Sequence, residues 1–311
     1  HRDLHSLRRR QRQMCIRDRS DVIHGHLYSS SLISLALSKL FNKPSVCTIH
    51  GSYFFHWRKL EENMVKAYFF KGLECFLIPF LGRLCDLQIH TDTLFASVAR
   101  KLGVPSSKIR VFLNGVDTTI FSPNTIPTIK TSCFTILTHR RLVRKNGVHI
   151  LIKALSLLPK NMRIKLLIIG DGPEKPCLIK LAKELKVSDK IIFLGWKPNE
   201  EIPGYLAAAD LIVIPSIVEA SSISMLEAMA MSKPVIASNI PGIRDIVGNE
   251  RCAILVPPEN PEELASAILF LYDNPKLRME LSFKARKLVV KNHSWKAIAK
   301  RMLNEYLSLL S

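Results

Sequence analysis

The chain has 311 residues, enough for two α/β domains at ~150 residues each, and 47% hydrophobic with 23% charged residues excludes a disordered or fibrous protein. Its seven cysteines are scattered and form no CxxC pair, which argues against a disulfide framework or zinc site and for a reducing cytosol. The formal charge of +19 calls for anionic partners, with nucleotide-sugar phosphates, anionic lipid head groups and nucleic acid all open.

Residues 1–20 concentrate seven arginines and two aspartates and lack apolar periodicity. A nucleic-acid arm or a membrane-attracted tail would carry such charge. The run MCIRDRS, however, resembles translated adapter sequence, and residues 1–19 are read as a non-native leader. From Asp21 short apolar runs alternate with amphipathic stretches. DVIHGH predicts a strand, Ser29–Phe41 a helix with a serine-rich start suited to capping, and PSVCTIHG a second strand. A helical region follows over Leu60–Leu84, broken near Pro79, then the strand LCDLQIHT, a helix ending at Gly103 and the strand KIRVFLNGVD. This βαβα order marks a parallel sheet.

The threonine-rich stretch 124–132 is the linker candidate, separating a first domain over 20–123 from a second over 133–290, with a terminal helix over 291–311. The second domain reads as a complete doubly wound sheet with strands SCFTILTH, RIKLLIIG, KIIFLG, DLIVIPS, KPVIAS and CAILVPP. The first has only three or four strands, so it is expected to be small or truncated. The apolar stretch around Cys75–Gly82 falls far short of the ~20 residues that span a bilayer. The run 53–84 mixes aromatics with Lys59, Lys66, Lys71 and Arg83. One reading is docking on an anionic membrane; the reading taken has the aromatics on the sheet and the lysines in water.

Chemistry-bearing residues gather where strands end, which is where open α/β sheets bind ligands. In VEASSISMLEAMAM, Glu219 follows a strand and Glu227 lies in the next helix, with Ser221, Ser222, Ile223 and Ser224 at the helix start. Unpaired amides and the positive dipole end favour a phosphate there. THRRLVRKNG supplies Arg140, Arg141 and Lys145, and IIGDGP supplies Gly170 and Gly172, where backbone can approach a ligand. NGVDTTIF follows the first domain's last strand, with Asp117 and Phe121 read as structural. His26 and His50 stand at strand ends, His50 followed by Gly51.

These elements resemble the E-x7-E, R-L-x-x-x-K-G, G-x-G-P and N-G-V-D-x-x-x-F motifs of the family 4 (group 1) retaining glycosyltransferases, which have the GT-B fold of two facing Rossmann-like domains. The resemblance implies transfer of a sugar from a nucleoside diphosphate sugar to a hydroxyl acceptor, whether glycan, lipid or small molecule, with retained configuration. It implies cations holding the donor diphosphate. The pairing taken is Arg141 with Lys145, with Arg140 the alternative, because Asn146 and not lysine stands five residues after Arg141. It gives the 221–224 amides, Gly170 and Gly172 to donor binding, Glu227 to the ribose, Glu219 to the sugar hydroxyls, and His50, with His26 and Gly51, to the acceptor side. No cofactor is implied. The sequence has neither D-x-D nor H-E-x-x-H, so a metal-independent clamp is expected, in the cytoplasm or peripheral at the inner membrane face. Family members begin with a strand and glycine-rich loop, and none precedes Asp21. A catalytically inactive nucleotide-sugar-binding fragment is therefore one alternative. An epimerase or a pyridoxal-phosphate phosphorylase on the same fold is another. No motif supports specific nucleic-acid binding.

Overall fold

The computed structural model describes residues 20–50 and 64–311; Gly51, Lys59 and the aromatics of 53–57 lie outside the described residues. The chain divides into two compact units, one reaching Phe112 and joined by Lys300–Ser311, the other Leu113–Ala299.

In the first unit four parallel strands, β1 (Ile23–His26), β2 (Ser45–Ile49), β3 (Leu87–His90) and β4 (Ile109–Val111), pair in the order β1-β2-β3-β4. Helices α1 (Leu27–Phe41), α2 (Met64–Leu84) and α3 (Thr93–Lys101) follow the first three. β2 and β3 are buried along their whole length, as expected of parallel strands covered by helices. The core joins Cys47 and Ile49 to Ile78, Leu81, Ala96 and Ala99. Asp92 caps α3 by accepting the Phe95 amide at 2.6 Å. α1 begins at Leu27 without a side-chain cap, so its serines lie inside the helix, where Ser31, Ser34 and Ser38 are buried.

Two expectations for α2 are corrected. The helix is not broken near Pro79 but runs through it, because Leu77, Ile78 and Leu81 bury on both sides of the ring and their packing outweighs the lost backbone bond. Its aromatics do not cover the sheet. Phe69, Phe76 and Phe80 face outward, since the inward stripe at i, i+3, i+4 and i+7 is filled by Glu74, Leu77, Ile78 and Leu81.

The strand expected over KIRVFLNGVD is also shorter, ending at Val111. Beyond it the chain leaves the sheet and packs in the second unit. There the Asn114 amide donates to Ser221 Oγ and the Val116 amide to the His293 carbonyl. Asp117 Oδ1 accepts from the Thr119 amide and hydroxyl, and Phe121 is buried, so both serve a turn. Within 124–132, the Thr128 amide donates to the Gly204 carbonyl. The division thus falls ahead of the stretch read as a linker.

The second unit is a six-stranded parallel sheet ordered β10-β9-β8-β5-β6-β7. Its strands are β5 (Phe134–His139), β6 (Ile164–Ile169), β7 (Ile191–Gly195), β8 (Leu211–Ile214), β9 (Val235–Ser238) and β10 (Ile254–Val256). The helices that matter for the site are α4 (Val148–Leu157), α5 (Lys175–Glu184), α6 (Ile202–Ala208) and α7 (Ile223–Ala230). The remainder are α8 (Pro241–Val247), α9 (Pro261–Asp273), α10 (Pro275–Asn292) and α11 (Trp295–Ser308), the last running past the end of this unit. Strand residues alternate between two cores. Ile136, Leu166, Ile168 and Val213 pack with α4 and α9, while Leu137, Leu167, Ile169 and Ile212 pack with α6 and α7. From β5 the chain winds outward to β7 and then returns to β8 at β5's other side. The order reverses between β5 and β8, the position at which doubly wound sheets open a ligand crevice.

Gly147 joins the two sides of that switch. It has φ +69°, and a Cβ there would lie 1.8 Å from the Pro215 carbonyl oxygen, while the Ile217 amide donates to the Lys145 carbonyl at 2.8 Å. Gly147→Ala is expected to cost about 2–4 kcal/mol. Gly72→Ala, in a helix with nothing within 4 Å of the new Cβ, is expected to be neutral or stabilising by up to about 1 kcal/mol. Thermal denaturation of the two variants checks the opposite signs.

Candidate active site

The loop after β5 carries the site's principal cation. Arg140 N donates to the Ile169 carbonyl, the Leu142 amide to the Asp171 carbonyl, and the Glu174 amide to the Leu142 carbonyl, so residues 140–142 are stitched to the end of β6. Gly170, φ +130°, makes this approach possible, because a Cβ would lie 1.9 Å from the Arg140 carbonyl oxygen. At Gly172 a Cβ would likewise lie 2.4 Å from the Leu142 carbonyl oxygen. Both glycines bring the chain's own backbone together at the mouth of the sheet.

The Arg140 side chain, 5% exposed, forms an ion pair through Nη2 with Glu219 Oε2 in the loop after β8. Nη2 also donates to Asn146 Oδ1 at 3.4 Å, and Asn146 Nδ2 donates to the Arg141 carbonyl at 2.7 Å. Ser216 Oγ donates to the same Glu219 oxygen at 3.3 Å. Arg140 Nε and Nη1 are buried without a hydrogen-bond partner, and so are Thr138 Oγ1 and His139 Nδ1. Three consecutive residues at the end of β5 therefore carry buried polar atoms without a partner. Burying a guanidinium nitrogen without a partner costs stability, and an incoming anion would recover that cost. Arg141 and Lys145 are exposed. The Lys145 backbone ties down the β8 loop, and the Arg141 side chain borders the cavity described below.

Glu227, on α7, is buried, and its Oε2 lies 2.7 Å from His139 Nε2. His139 was not singled out in the sequence; its place one residue before Arg140, at a strand's carboxyl end, was the available signal. The serines of the α7 start are engaged. Ser222 caps the helix through the Met225 amide, Ser224 Oγ donates to the His139 carbonyl at 2.8 Å, and Ser221 Oγ accepts the Asn114 amide. The Ile223 and Ser224 amides lie in the first turn, which the helix leaves without intrahelical acceptors. A cavity of about 400 Å³ adjoins Arg140, bordered by His139 and Arg141, by Gly170 and Asp171 after β6, and by Trp196 and Lys197 after β7.

In the first unit His26 Nδ1 and His50 Nε2 are 2.8 Å apart, and their rings stack. His24 stacks on His26, with Nδ1 2.6 Å from the Tyr306 hydroxyl and Nε2 2.7 Å from Thr48 Oγ1. Burial, with His26 and His50 adding repulsion, lowers the His24 pKa to about 4; His50 is lowered by burial and by His26. Among the described residues no group of three or more His, Cys, Asp or Glu could hold a metal ion. No helix among them is long and apolar enough to cross a membrane.

A doubly wound parallel sheet with charged groups at its switch point is an architecture of nucleotide-binding α/β proteins. Residues 125–288 match the family model of glycosyl transferases group 1, and residues 1–120 match that of glycosyltransferase family 4; the chain belongs to the group 1 glycosyltransferases. An uncharacterized glycosyltransferase of Methanocaldococcus jannaschii is 28% identical over 299 residues, covering 93% of this chain and 75% of that protein. A D-inositol 3-phosphate glycosyltransferase of Corynebacterium urealyticum is 29% identical over 315 residues, covering 93% and 72%. Among solved structures, Anabaena HepE in complex with UDP superposes with TM-score 0.78 at 19% identity, covering 96% of this chain and 81% of that one. Sucrose-phosphate synthase from Thermosynechococcus elongatus superposes with TM-score 0.79 at 24% identity, covering 93% and 74%. The fold is GT-B.

The buried histidines set a pH dependence of stability. His24, His90 and His149 all have pKa values lowered from 6.5 to about 4, chiefly by burial. The unfolded chain takes up these protons near pH 6.5 and the folded chain only near pH 4. Stability is therefore expected to be level above pH 6.5 and to fall as pH drops from there towards 4. Thermal midpoints across that range check this, and His90→Gln is expected to flatten the slope.

Proposed function

We propose that the chain transfers a sugar from a nucleoside diphosphate sugar to a hydroxyl acceptor with retention of anomeric configuration and without a metal. The observation that carries this reading is the run of buried polar atoms without a partner on Thr138, His139 and Arg140 at the switch point of the sheet. Arg140 is the cation assigned to the donor diphosphate, its Nε and Nη1 meeting phosphate oxygens while Glu219 and Asn146 hold Nη2. The first-turn amides of Ile223 and Ser224 add neutral donors with a favourable dipole. Glu227, oriented by His139, accepts the ribose hydroxyls, and the 400 Å³ cavity beside Trp196 and Lys197 receives the base. Glu219 orients the sugar, and His50, with His26, takes the acceptor-side role.

In the reaction the bond from the anomeric carbon to the diphosphate breaks and a bond to the acceptor oxygen forms on the same face. The acceptor's proton passes to a departing phosphate oxygen. Charge gathers on the diphosphate as the bond breaks, so a fixed, desolvated guanidinium stabilises the transition state more than the ground state. The UDP bound in the HepE structure and the sugar-transfer names of the relatives support a nucleotide donor. Arg141 and Lys145 are given a supporting, solvent-screened part. The acceptor class proposed is a glycan, a lipid-linked hydroxyl or a small polyol, at the cytoplasmic side of a membrane or in the cytoplasm.

Arg140→Ala is expected to lower kcat by about 100-fold to 1000-fold, and Lys145→Ala by about tenfold or less, because an exposed charge is screened. Turnover on a uridine, guanosine and adenosine diphosphate-sugar panel measures both. Nuclear magnetic resonance of the product's anomeric proton tests retention, and undiminished turnover in EDTA tests metal independence. Wild-type turnover by Arg140→Ala would remove the assigned role.

A further inference from the structure

α2 and the helix beside it present an outer surface that water alone does not explain. Along α2, Val65, Phe69, Leu73, Phe76, Phe80 and Leu84 are all exposed and recur at intervals of three or four residues. They form one stripe about 28 Å long at 1.5 Å per residue. Phe69 is 66% and Phe76 63% exposed, and Phe76 stacks on Phe80 with ring centroids 5.6 Å apart. α1 packs alongside: Tyr28 donates to Glu74 Oε1 at 2.9 Å, and Ile33 and Leu40 are exposed at 62% and 69%. Apolar surface this extensive on an exposed helix face marks an interaction site.

Charge names the partner. Residues 27–43 and 64–84 hold Lys39, Lys43, Lys66, Lys71 and Arg83 against a single acid, Glu74. That acid is 2% exposed and bonded inward to Tyr28, so no carboxylate stands on the outer face of either helix. Exposed aromatics with cations and no acids fit the boundary between head groups and acyl chains, where aromatic rings and basic side chains concentrate. Anionic lipid attracts such a patch and neutral lipid does not. α2 is not apolar enough to span, so the contact is a helix lying on the surface.

We propose that the outer face of α1 and α2 is a docking surface for an anionic lipid bilayer. Sedimentation of the full chain with vesicles tests this, comparing mixed phosphatidylglycerol–phosphatidylcholine vesicles with pure phosphatidylcholine. Two variants accompany it: Phe76→Ser with Phe80→Ser, and Lys39→Glu with Lys43→Glu. The wild type is expected to partition at least about tenfold more strongly onto the anionic vesicles, and each variant to lose about tenfold or more. Thermal midpoint and particle mass should stay unchanged. The inference is overturned if the wild type does not bind, if it binds both vesicles equally, or if the aromatic variant binds as the wild type does. It is also overturned if light scattering shows a wild-type dimer that the aromatic variant dissociates, since the face is then an interface between copies. Should the aromatic variant not fold, the charge-reversal variant decides by itself. Sugar transfer to a soluble acceptor is a separate readout, so failure here is distinguishable from failure of the transferase reading.

Discussion

The site turns on one buried guanidinium. Arg140 reaches from the end of β5 to Glu219 beyond β8, so it spans the point where the sheet reverses its winding. A carboxylate opposite it neutralises the charge while no ligand is bound, which is what allows an arginine that is nine-tenths buried to be tolerated. The pairing uses Nη2 and leaves Nε and Nη1 buried without a hydrogen-bond partner. Neither the cost of those open donors nor their placement makes sense for stability alone. The proposed function gives both a use, in holding an anion that arrives, reacts and leaves.

The surrounding structure holds that group still. Gly170 lets the β6 loop lie against the Arg140 carbonyl, and Gly147 lets the turn before α4 lie against Pro215. Asn146 bridges the Arg140 side chain and the Arg141 backbone. Rigid support of this kind matters because a preorganised charge need not reorganise as the reaction proceeds. On the other side of β5's end, His139 orients Glu227 in the same way. Two acid–base pairs, one flanking the assigned phosphates and one the assigned ribose, are thus built on consecutive residues where a single strand ends. Gly51 falls outside the described residues, so of the three residues expected on the acceptor side only His26 and His50 are described, and they pair with each other.

The succession of strands and helices could be read from the sequence because parallel strands are short apolar runs closed by polar residues, and every expected strand of the second unit is present; their order in the sheets came from the structure. Gly170, Gly172 and Glu219 stand out in the sequence for the same reason, since each follows the end of a strand, while Glu227 stands out by its place in the helix that follows. Side-chain direction is not legible in the sequence. Arg140 and Arg141 are adjacent, and only the structure shows one buried and the other exposed; the pairing expected from the sequence, Arg141 with Lys145, is the exposed one. Asn146, noticed as a departure from a motif, turns out to hold both arginines in place. His139 was hidden because a histidine inside the apolar run FTILTH reads as strand filler. The facing of α2 was inverted because its sequence is apolar on every side, and periodicity assigns no face to such a helix. Pro79 misled likewise, since a local rule yields to packing on both sides of the ring.

Titration calorimetry on the donor product tests the central claim most directly. The uridine, guanosine or adenosine diphosphate that binds would be compared with its own nucleoside in wild type and in Arg140→Gln. The account predicts that wild type gains at least about 100-fold in affinity from the diphosphate, and that Arg140→Gln cuts this gain to about tenfold while nucleoside binding stays unchanged. If the variant keeps the full gain, or loses nucleoside and nucleotide binding equally, the guanidinium does not hold the diphosphate and the account is wrong.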